Sequence, residues 1–149
     1  MYKKFSHMTF VVEDLDDTLD AYELLLDLTT DEGILEELDN ARLATIHFSG
    51  IRLEFIEPDT SVPSPFTQFL EENGEGVISY CIVIDNFDEE IARLKAEGAN
   101  LEEAEQPDLF PDHTLRLAWI LPEDSLGCRV EIVDKDSLPP SEVEIIEHG

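Results

Sequence analysis

One histidine and two glutamates have the types and spacing that could support chemistry. His7 begins the strand-like segment HMTFVVEDL, Glu54 lies in LEFIEPD, and Glu131 lies in VEIVDKD, which aligns with the segment around Glu54. An imidazole and carboxylates bind borderline divalent metals, and the same groups transfer protons near neutral pH. The sequence therefore predicts a metal site or an acid–base site, provided that the fold brings the three residues together.

An internal repeat supports this expectation. Residues 7–26 align with residues 79–98, and each segment reads as an apolar strand, an acidic turn and a helix with apolar residues at helical spacing. Two copies of one pattern indicate two similar half-domains within a compact domain of 149 residues. The alignment places Ser79 at the position that His7 has in the first copy.

The predicted elements follow the order βαβββ twice, so the fold class is α+β. We expect two βαβββ repeats that form a curled mixed sheet around a cleft. Asp14 and Ser64 are the expected N-caps of the first two helices. The other expectations are an extended piece at 29–30, a hairpin turn at 49–50 and a loop at 106–112. The predicted boundaries are repeat one at about 5–59, a linker helix at 64–74, repeat two at about 76–136 and a tail at 137–149.

Alternation along the strands predicts which side chains face the cleft. Leu53 and Phe55 suit the helix-covered face of one strand, and Val130 and Ile132 suit that face of its repeat. Trp119 is expected on the same helix-facing side, as a core residue. Polar residues in mid-strand are informative, because hydrophobic residues would be easier to bury there. The inner face is predicted to carry His7, Thr9, Thr45, His47, Arg52, Glu54, Ser79, Arg129 and Glu131.

The charge balance limits the partners. The chain has 36 acidic residues against 9 lysines and arginines, a formal net charge of −27, which would repel nucleic acid. No apolar run reaches the roughly 18 residues of a membrane span, and the N-terminus has no secretory h-region, so we expect a cytoplasmic protein. The acidity fits either a high-salt cytoplasm or an ordinary acidic protein. Cys81 and Cys128 are expected to be reduced core residues.

Several segments resemble the vicinal-oxygen-chelate superfamily, which includes glyoxalase I, extradiol dioxygenases and bleomycin-resistance proteins. The segments FSHM (5–8), VEDL (12–15) and LEFIEP (53–58) are most similar to the methylmalonyl-CoA epimerase branch, and the similarity extends over about residues 5–134. The resemblance implies a cleft metal (Co, Ni, Mn, Fe or Zn) that polarises two substrate oxygens while a base moves a proton. It implies the ligands His7, Glu54, Ser79 and Glu131.

The chain departs from the family pattern at two places. Ser79 stands where the family has a histidine, so water or substrate would complete the metal's coordination. A separate base on the strand at 41–48 is not evident, because Leu43 or Thr45 occupies that place. Glu131 or Glu54 is therefore the predicted catalytic proton carrier.

Two functions remain open at this stage. The first is a metalloenzyme, an isomerase, epimerase or lyase that acts on a small oxo-acid or an acyl-CoA thioester. The alternative is a metal-free protein of the same fold that binds a small molecule, with Glu54 and Glu131 paired to arginines. The predicted partners are a small-molecule substrate and, as in many members of the family, a second copy of the chain. The predicted substrate contacts are Thr45, His47, Arg52 and Arg129.

Overall fold

The computed structural model describes residues 2–28, 35–38, 40–48, 51–125 and 127–148. The elements confirm the predicted order of βαβββ twice, with a linker helix between the repeats. A 3-10 turn, Lys135–Ser137, precedes the last helix. In chain order the elements are β1 (Lys3–Val11), α1 (Leu15–Leu26), β2 (Leu35–Leu38), β3 (Ala41–Phe48), β4 (Ile51–Pro58), α2 (Pro65–Asn73), β5 (Gly76–Ile84), α3 (Phe87–Ala96), β6 (Leu101–Phe110), β7 (His113–Ile120), β8 (Arg129–Asp134) and α4 (Pro140–His148).

The predicted loop at 106–112 is wrong over residues 106–110, which are part of a strand. Strand β6 continues to Phe110 and pairs with β7, with a register shift between Gln106 and Phe110. Pro107 fits there because β6 is the outermost strand of its sheet, where a missing N–H breaks no ladder on the outer side. The extended piece expected at 29–30 and the turn expected at 49–50 lie outside the described residues.

The chain divides into two compact units. The N-terminal unit is His7–Ile78, and the C-terminal unit is Met1–Ser6 together with Ser79–Gly149. The strand orders are β2-β3-β4-β1 and β5-β8-β7-β6. Each order has one parallel pair, β1 with β4 and β5 with β8, and the other neighbours within it pair antiparallel. The strand order of each unit is therefore mixed, and the two orders repeat the sequence duplication.

Helix α1 packs on the strands of the N-terminal unit. The Asp14 side chain accepts a hydrogen bond from the Asp17 N–H at 2.9 Å, which confirms the predicted N-cap. The fully buried Leu15 begins the apolar face of the helix, which packs on the buried Phe55 of β4. Leu53 packs in the same cluster, so the helix-covered face of β4 is the one predicted from alternation.

The C-terminal unit has an apolar cluster on each face of its sheet. On one face, Phe87 and Ile91 of α3 pack on Val130 and Ile132, as predicted from the alternation. On the other face, a second cluster contains Cys81, Val83, Leu115, Leu117 and Val133. Residues of the tail, Leu138 and Ile146, pack against this second cluster. Within the described part of the chain, no helix combines the length and apolar character that a membrane span requires.

Candidate metal and acid–base site

The strand registers support the repeat alignment residue by residue. In the N-terminal unit, His7 pairs with Arg52 and Thr9 pairs with Glu54. In the C-terminal unit, the corresponding pairs are Ser79 with Arg129 and Cys81 with Glu131. Glu54 and Glu131 therefore occupy the same position of the two repeats, and Ser79 occupies the position of His7.

The N-terminal unit brings an imidazole and a carboxylate together. His7 Nε2 lies 3.7 Å from Glu54 Oε2, and the two side chains are only 16% and 22% exposed. The Thr9 hydroxyl lies 3.2 Å from the same Glu54 oxygen and donates a hydrogen bond to it. Thr9 therefore fixes the orientation of a carboxylate that stands beside a histidine. We call His7, Thr9 and Glu54 the N-terminal cluster.

The predicted substrate contacts of the N-terminal unit differ in their exposure. Thr45 is buried and pairs with Glu54 in the antiparallel ladder of β3 and β4. His47 pairs with Arg52 in the same ladder, but its side chain is exposed. Arg52 is half-buried, and it shares the strand face of Glu54 because the two residues are separated by one position. Thr45 and Arg52 are therefore placed close to the carboxylate along the strands.

In the C-terminal unit, a tryptophan orients the second carboxylate. Trp119 Nε1 donates a hydrogen bond to Glu131 Oε2 at 3.1 Å, and the two residues pair across β7 and β8. The expectation that Trp119 lies on the helix-facing side is therefore wrong. Its neighbours Ala118 and Ile120 pack towards α3, while Trp119 packs on the opposite cluster. The N–H of a buried indole needs a hydrogen-bond acceptor, and the carboxylate of Glu131 provides it.

Two small polar side chains accompany Glu131. Ser79 is half-buried and pairs with Arg129, which is also half-buried. Cys81 is only 1% exposed, and its Sγ lies within 4.8 Å of a Glu131 carboxylate oxygen. Both cysteines of the chain are thiols. We call Ser79, Cys81 and Glu131 the C-terminal cluster. The sequence predicts Cys81 only as a reduced core residue.

The donor atoms within each cluster have types and spacings that suit a divalent metal. Neighbouring donors on an ion are separated by roughly 3.0 to 3.5 Å when each bond is about 2.1 Å. The separation of 3.7 Å between His7 Nε2 and Glu54 Oε2 is close to that range. The C-terminal cluster offers a second carboxylate with a hydroxyl or a thiol. Nitrogen, oxygen and sulfur donors together suit borderline metals such as Co, Zn, Fe and Ni.

The C-terminal unit also has a cavity of about 390 Å³ on its α3 side. Its walls are mostly apolar, and the charged side chains of Lys3, Glu90 and Arg93 also line it. Glu90 is 7% exposed at its side chain; it accepts hydrogen bonds from Arg93 at 2.9 Å and from Lys3 at 2.8 Å. These hydrogen bonds lower the pKa of Glu90 from 4.5 to about 2. No sequence pattern predicts this contact, because Lys3 and Glu90 are 87 positions apart in the chain.

Glu90 is expected to make the stability of the protein depend on pH in acid. Because its pKa is lower in the folded chain, its contribution is complete above pH 4.5 and is lost as the pH falls toward about 2. We expect Glu90→Gln to lower the free energy of unfolding at neutral pH by on the order of 2 kcal/mol. The difference from wild type should shrink in urea titrations at progressively lower pH. The exposed Glu89→Gln is the control, and an equal effect of both variants would contradict the assignment.

Comparison with known proteins identifies the family. The family model of the glyoxalase/bleomycin resistance protein/dioxygenase superfamily matches residues 6–115. The chain belongs to this superfamily. The resemblance seen in the sequence is therefore confirmed, and the βαβββ modules are those of the superfamily's fold. A search of curated proteins finds no significant match.

Solved structures of the superfamily share the fold at low sequence identity. A hypothetical protein from Bacillus halodurans is 22% identical with a TM-score of 0.74, and the match covers 93% of this chain and 99% of that chain. A methylmalonyl-CoA epimerase from Mycobacterium tuberculosis is 23% identical with a TM-score of 0.70 and coverages of 94% and 91%. A Streptomyces coelicolor methylmalonyl-CoA epimerase variant in complex with 2-nitronate-propionyl-CoA is 22% identical with a TM-score of 0.68 and coverages of 92% and 98%. At these identities the likeness shows the fold alone.

Proposed function

We propose that this member of the superfamily is a metal-dependent isomerase, epimerase or lyase. Its substrate would be a small oxo-acid or an acyl-CoA thioester with two neighbouring oxygens. His7, Glu54 and Glu131 would hold the divalent metal, with Ser79 or a water at the remaining position. The metal, when bound, would polarise the substrate oxygens and stabilise the negative charge that forms when a proton leaves the adjacent carbon.

The observation that carries this proposal is the pair of repeat-related carboxylates. Glu54 and Glu131 occupy equivalent register positions, and each accepts a hydrogen bond from a side chain of its own unit, Thr9 or Trp119. A partly buried carboxylate is costly unless it has partners. Orienting donors at both positions, with His7 beside one carboxylate, favour a built site over two chance surface acids.

We assign the proton transfer to Glu131. Glu54 has His7 and Thr9 beside one oxygen, an arrangement that suits a ligand. The indole of Trp119 holds Oε2 of Glu131 and so fixes the direction in which the carboxylate faces. In this role Glu131 would take the proton from the carbon next to the carbonyl and return a proton to that carbon. Arg52 precedes Glu54 by two residues, and Arg129 precedes Glu131 by two residues. These two arginines would bind an anionic group of the substrate.

Exchange of a substrate proton with solvent tests the enzyme proposal. Methylmalonyl-CoA is the first substrate to try, because epimerisation next to a thioester requires only removal and return of one proton. With cobalt supplied in D₂O, we expect deuterium at the carbon between the two carbonyl groups, detected by mass spectrometry. Heat-denatured protein with cobalt controls for background exchange. The epimerase version would be contradicted by exchange at the background rate, and oxo-acids would then be tested.

A metal-free binding function is the second candidate, and Ser79 is the observation that favours it. A hydroxyl is a poor replacement for an imidazole ligand. The net charge of −27 also disfavours the binding of an anionic CoA ester, except close to the arginines. In this case Glu54 and Glu131 would bind a cationic or hydrogen-bonding ligand directly. Ligand binding that EDTA leaves unchanged would support this candidate over the metalloenzyme.

A further inference from the structure

We propose that Cys81, and not Ser79, is the metal ligand that the C-terminal unit provides beside Glu131. This inference rests on the proposed metal site and assigns one more of its ligands. Cys81 and Glu131 are direct partners in the β5–β8 ladder. The Cys81 Sγ lies within 4.8 Å of a carboxylate oxygen of Glu131. A sulfur and an oxygen bound to one ion would lie roughly 3.6 Å apart, given bonds of about 2.3 and 2.1 Å.

The lengths of the side chains explain why the ligand would change position. An imidazole at position 79 would reach much farther from the backbone than the short hydroxymethyl group of Ser79. Alternation along β5 places Cys81 on the same face as Ser79, two residues further along the strand. There Cys81 is directly opposite Glu131 in the ladder. Because Cys81 is opposite Glu131, its short side chain is long enough for the sulfur to bind the same ion as the carboxylate.

The comparison with the first repeat also singles out Cys81. Its equivalent is Thr9, whose hydroxyl donates a hydrogen bond to Glu54 at 3.2 Å. A thiol is a weak hydrogen-bond donor, so the exchange of threonine for cysteine weakens that role. It provides instead a soft donor that binds Zn and Co strongly once the metal displaces its proton. Trp119 takes over the orientation of the carboxylate in this repeat.

The plainer explanation is that Cys81 only fills the core. It belongs to the apolar cluster with Val83, Leu115, Leu117 and Val133, and buried cysteines often act as small hydrophobic residues. The two explanations differ in what happens when metal is added. A core thiol stays protonated, whereas a ligand thiol loses its proton and forms a bond with the metal. A thiolate ligand should also favour Zn and Co over Mn.

Cobalt spectroscopy of the full chain tests this inference independently of activity. We expect one-equivalent Co²⁺ binding to produce a near-ultraviolet thiolate-to-cobalt charge-transfer band. Cys81→Ser should remove the band and weaken Co²⁺ binding by at least about 10-fold, the lower end of what changes outside the ligand shell cause. Ser79→Ala should leave the thiolate-to-cobalt band in place, because the hydroxyl of Ser79 contributes no sulfur. Cys128→Ser is the matched thiol control, because Cys128 contacts the Arg129 carbonyl instead.

The outcomes separate this inference from the proposed function. Cobalt bound without a charge-transfer band, or a band that persists in Cys81→Ser, would overturn the role of Cys81 and leave the metal site standing. No cobalt binding would overturn the role of Cys81, and no binding of Co, Ni, Mn, Fe or Zn would overturn the metal site as well. Should Cys81→Ser lack native circular dichroism, Cys81→Ala keeps the test decisive because its side chain is small and apolar. X-ray absorption of the cobalt protein should also show one sulfur neighbour, and its absence would reject the ligand assignment.

Discussion

Replacing His7 by alanine is expected to lower the affinity of the protein for Co²⁺ by about 100-fold or more. Changes to groups outside the ligand shell already cost about 10- to 100-fold, and loss of a ligand should cost at least as much. His7 is the imidazole that stands 3.7 Å from Glu54, at a side-chain exposure of 16%. Competition titrations with a chromophoric chelator would measure the affinity of the wild type and of the variant.

A second imidazole provides the control for this variant. The His148 side chain is 74% exposed in α4, so His148→Ala should bind Co²⁺ as tightly as the wild type. Urea titrations of the metal-free proteins would show whether His7→Ala alters the fold itself. Equal Co²⁺ affinities of His7→Ala and the wild type would contradict the ligand assignment.

Glu131→Gln is expected to slow proton exchange by about 100- to 10,000-fold at saturating metal, the usual contribution of general acid–base catalysis. The amide keeps an oxygen that can accept the hydrogen bond of Trp119, so the packing around position 131 should be preserved. It removes the group that takes the proton. Because Glu131 is also a proposed metal ligand, the assay uses saturating metal, and the loss of rate should then appear in kcat.

Two matched variants locate the effect at Glu131. Glu54→Gln should mainly weaken metal binding, so that added metal restores part of its rate. Glu144→Gln removes an exposed carboxylate from α4 and should leave the rate unchanged. A Glu131→Gln protein that retains nearly the full rate at saturating metal would show that another group moves the proton.

Much of the fold could be predicted because the duplication repeats the hydrophobic pattern. The strand alternation that buries Phe55 also places Glu54 on the opposite face, and the structure confirms the helix-covered side in both units. The extent of β6 could not be read in the same way. Pro107 resembles a strand breaker in the sequence, and only the sheet order shows that it lies in an outermost strand, where a proline is tolerated.

The site was less predictable, because register depends on tertiary pairing. Alternation alone could place Glu131 on its face, but the contact with Trp119 depends on how β7 pairs with β8 after a long connection. Strand β7 also has apolar residues on both faces, so its alternation does not show which side Trp119 takes. The contact of the buried Glu90 is hidden in the sequence for a related reason, since its partner Lys3 is 87 positions away.

Elemental analysis of the purified full chain tests the central claim most directly. The protein would be stripped with a chelator, reconstituted separately with Co, Ni, Mn, Fe and Zn, and freed of unbound metal by gel filtration. We predict roughly one bound metal per chain for at least one of these ions, and its loss in His7→Ala. A wild-type protein that retains no metal under any of these conditions would contradict a metal-dependent function, and the polar residues around Glu54 and Glu131 would then have to be explained by direct ligand binding.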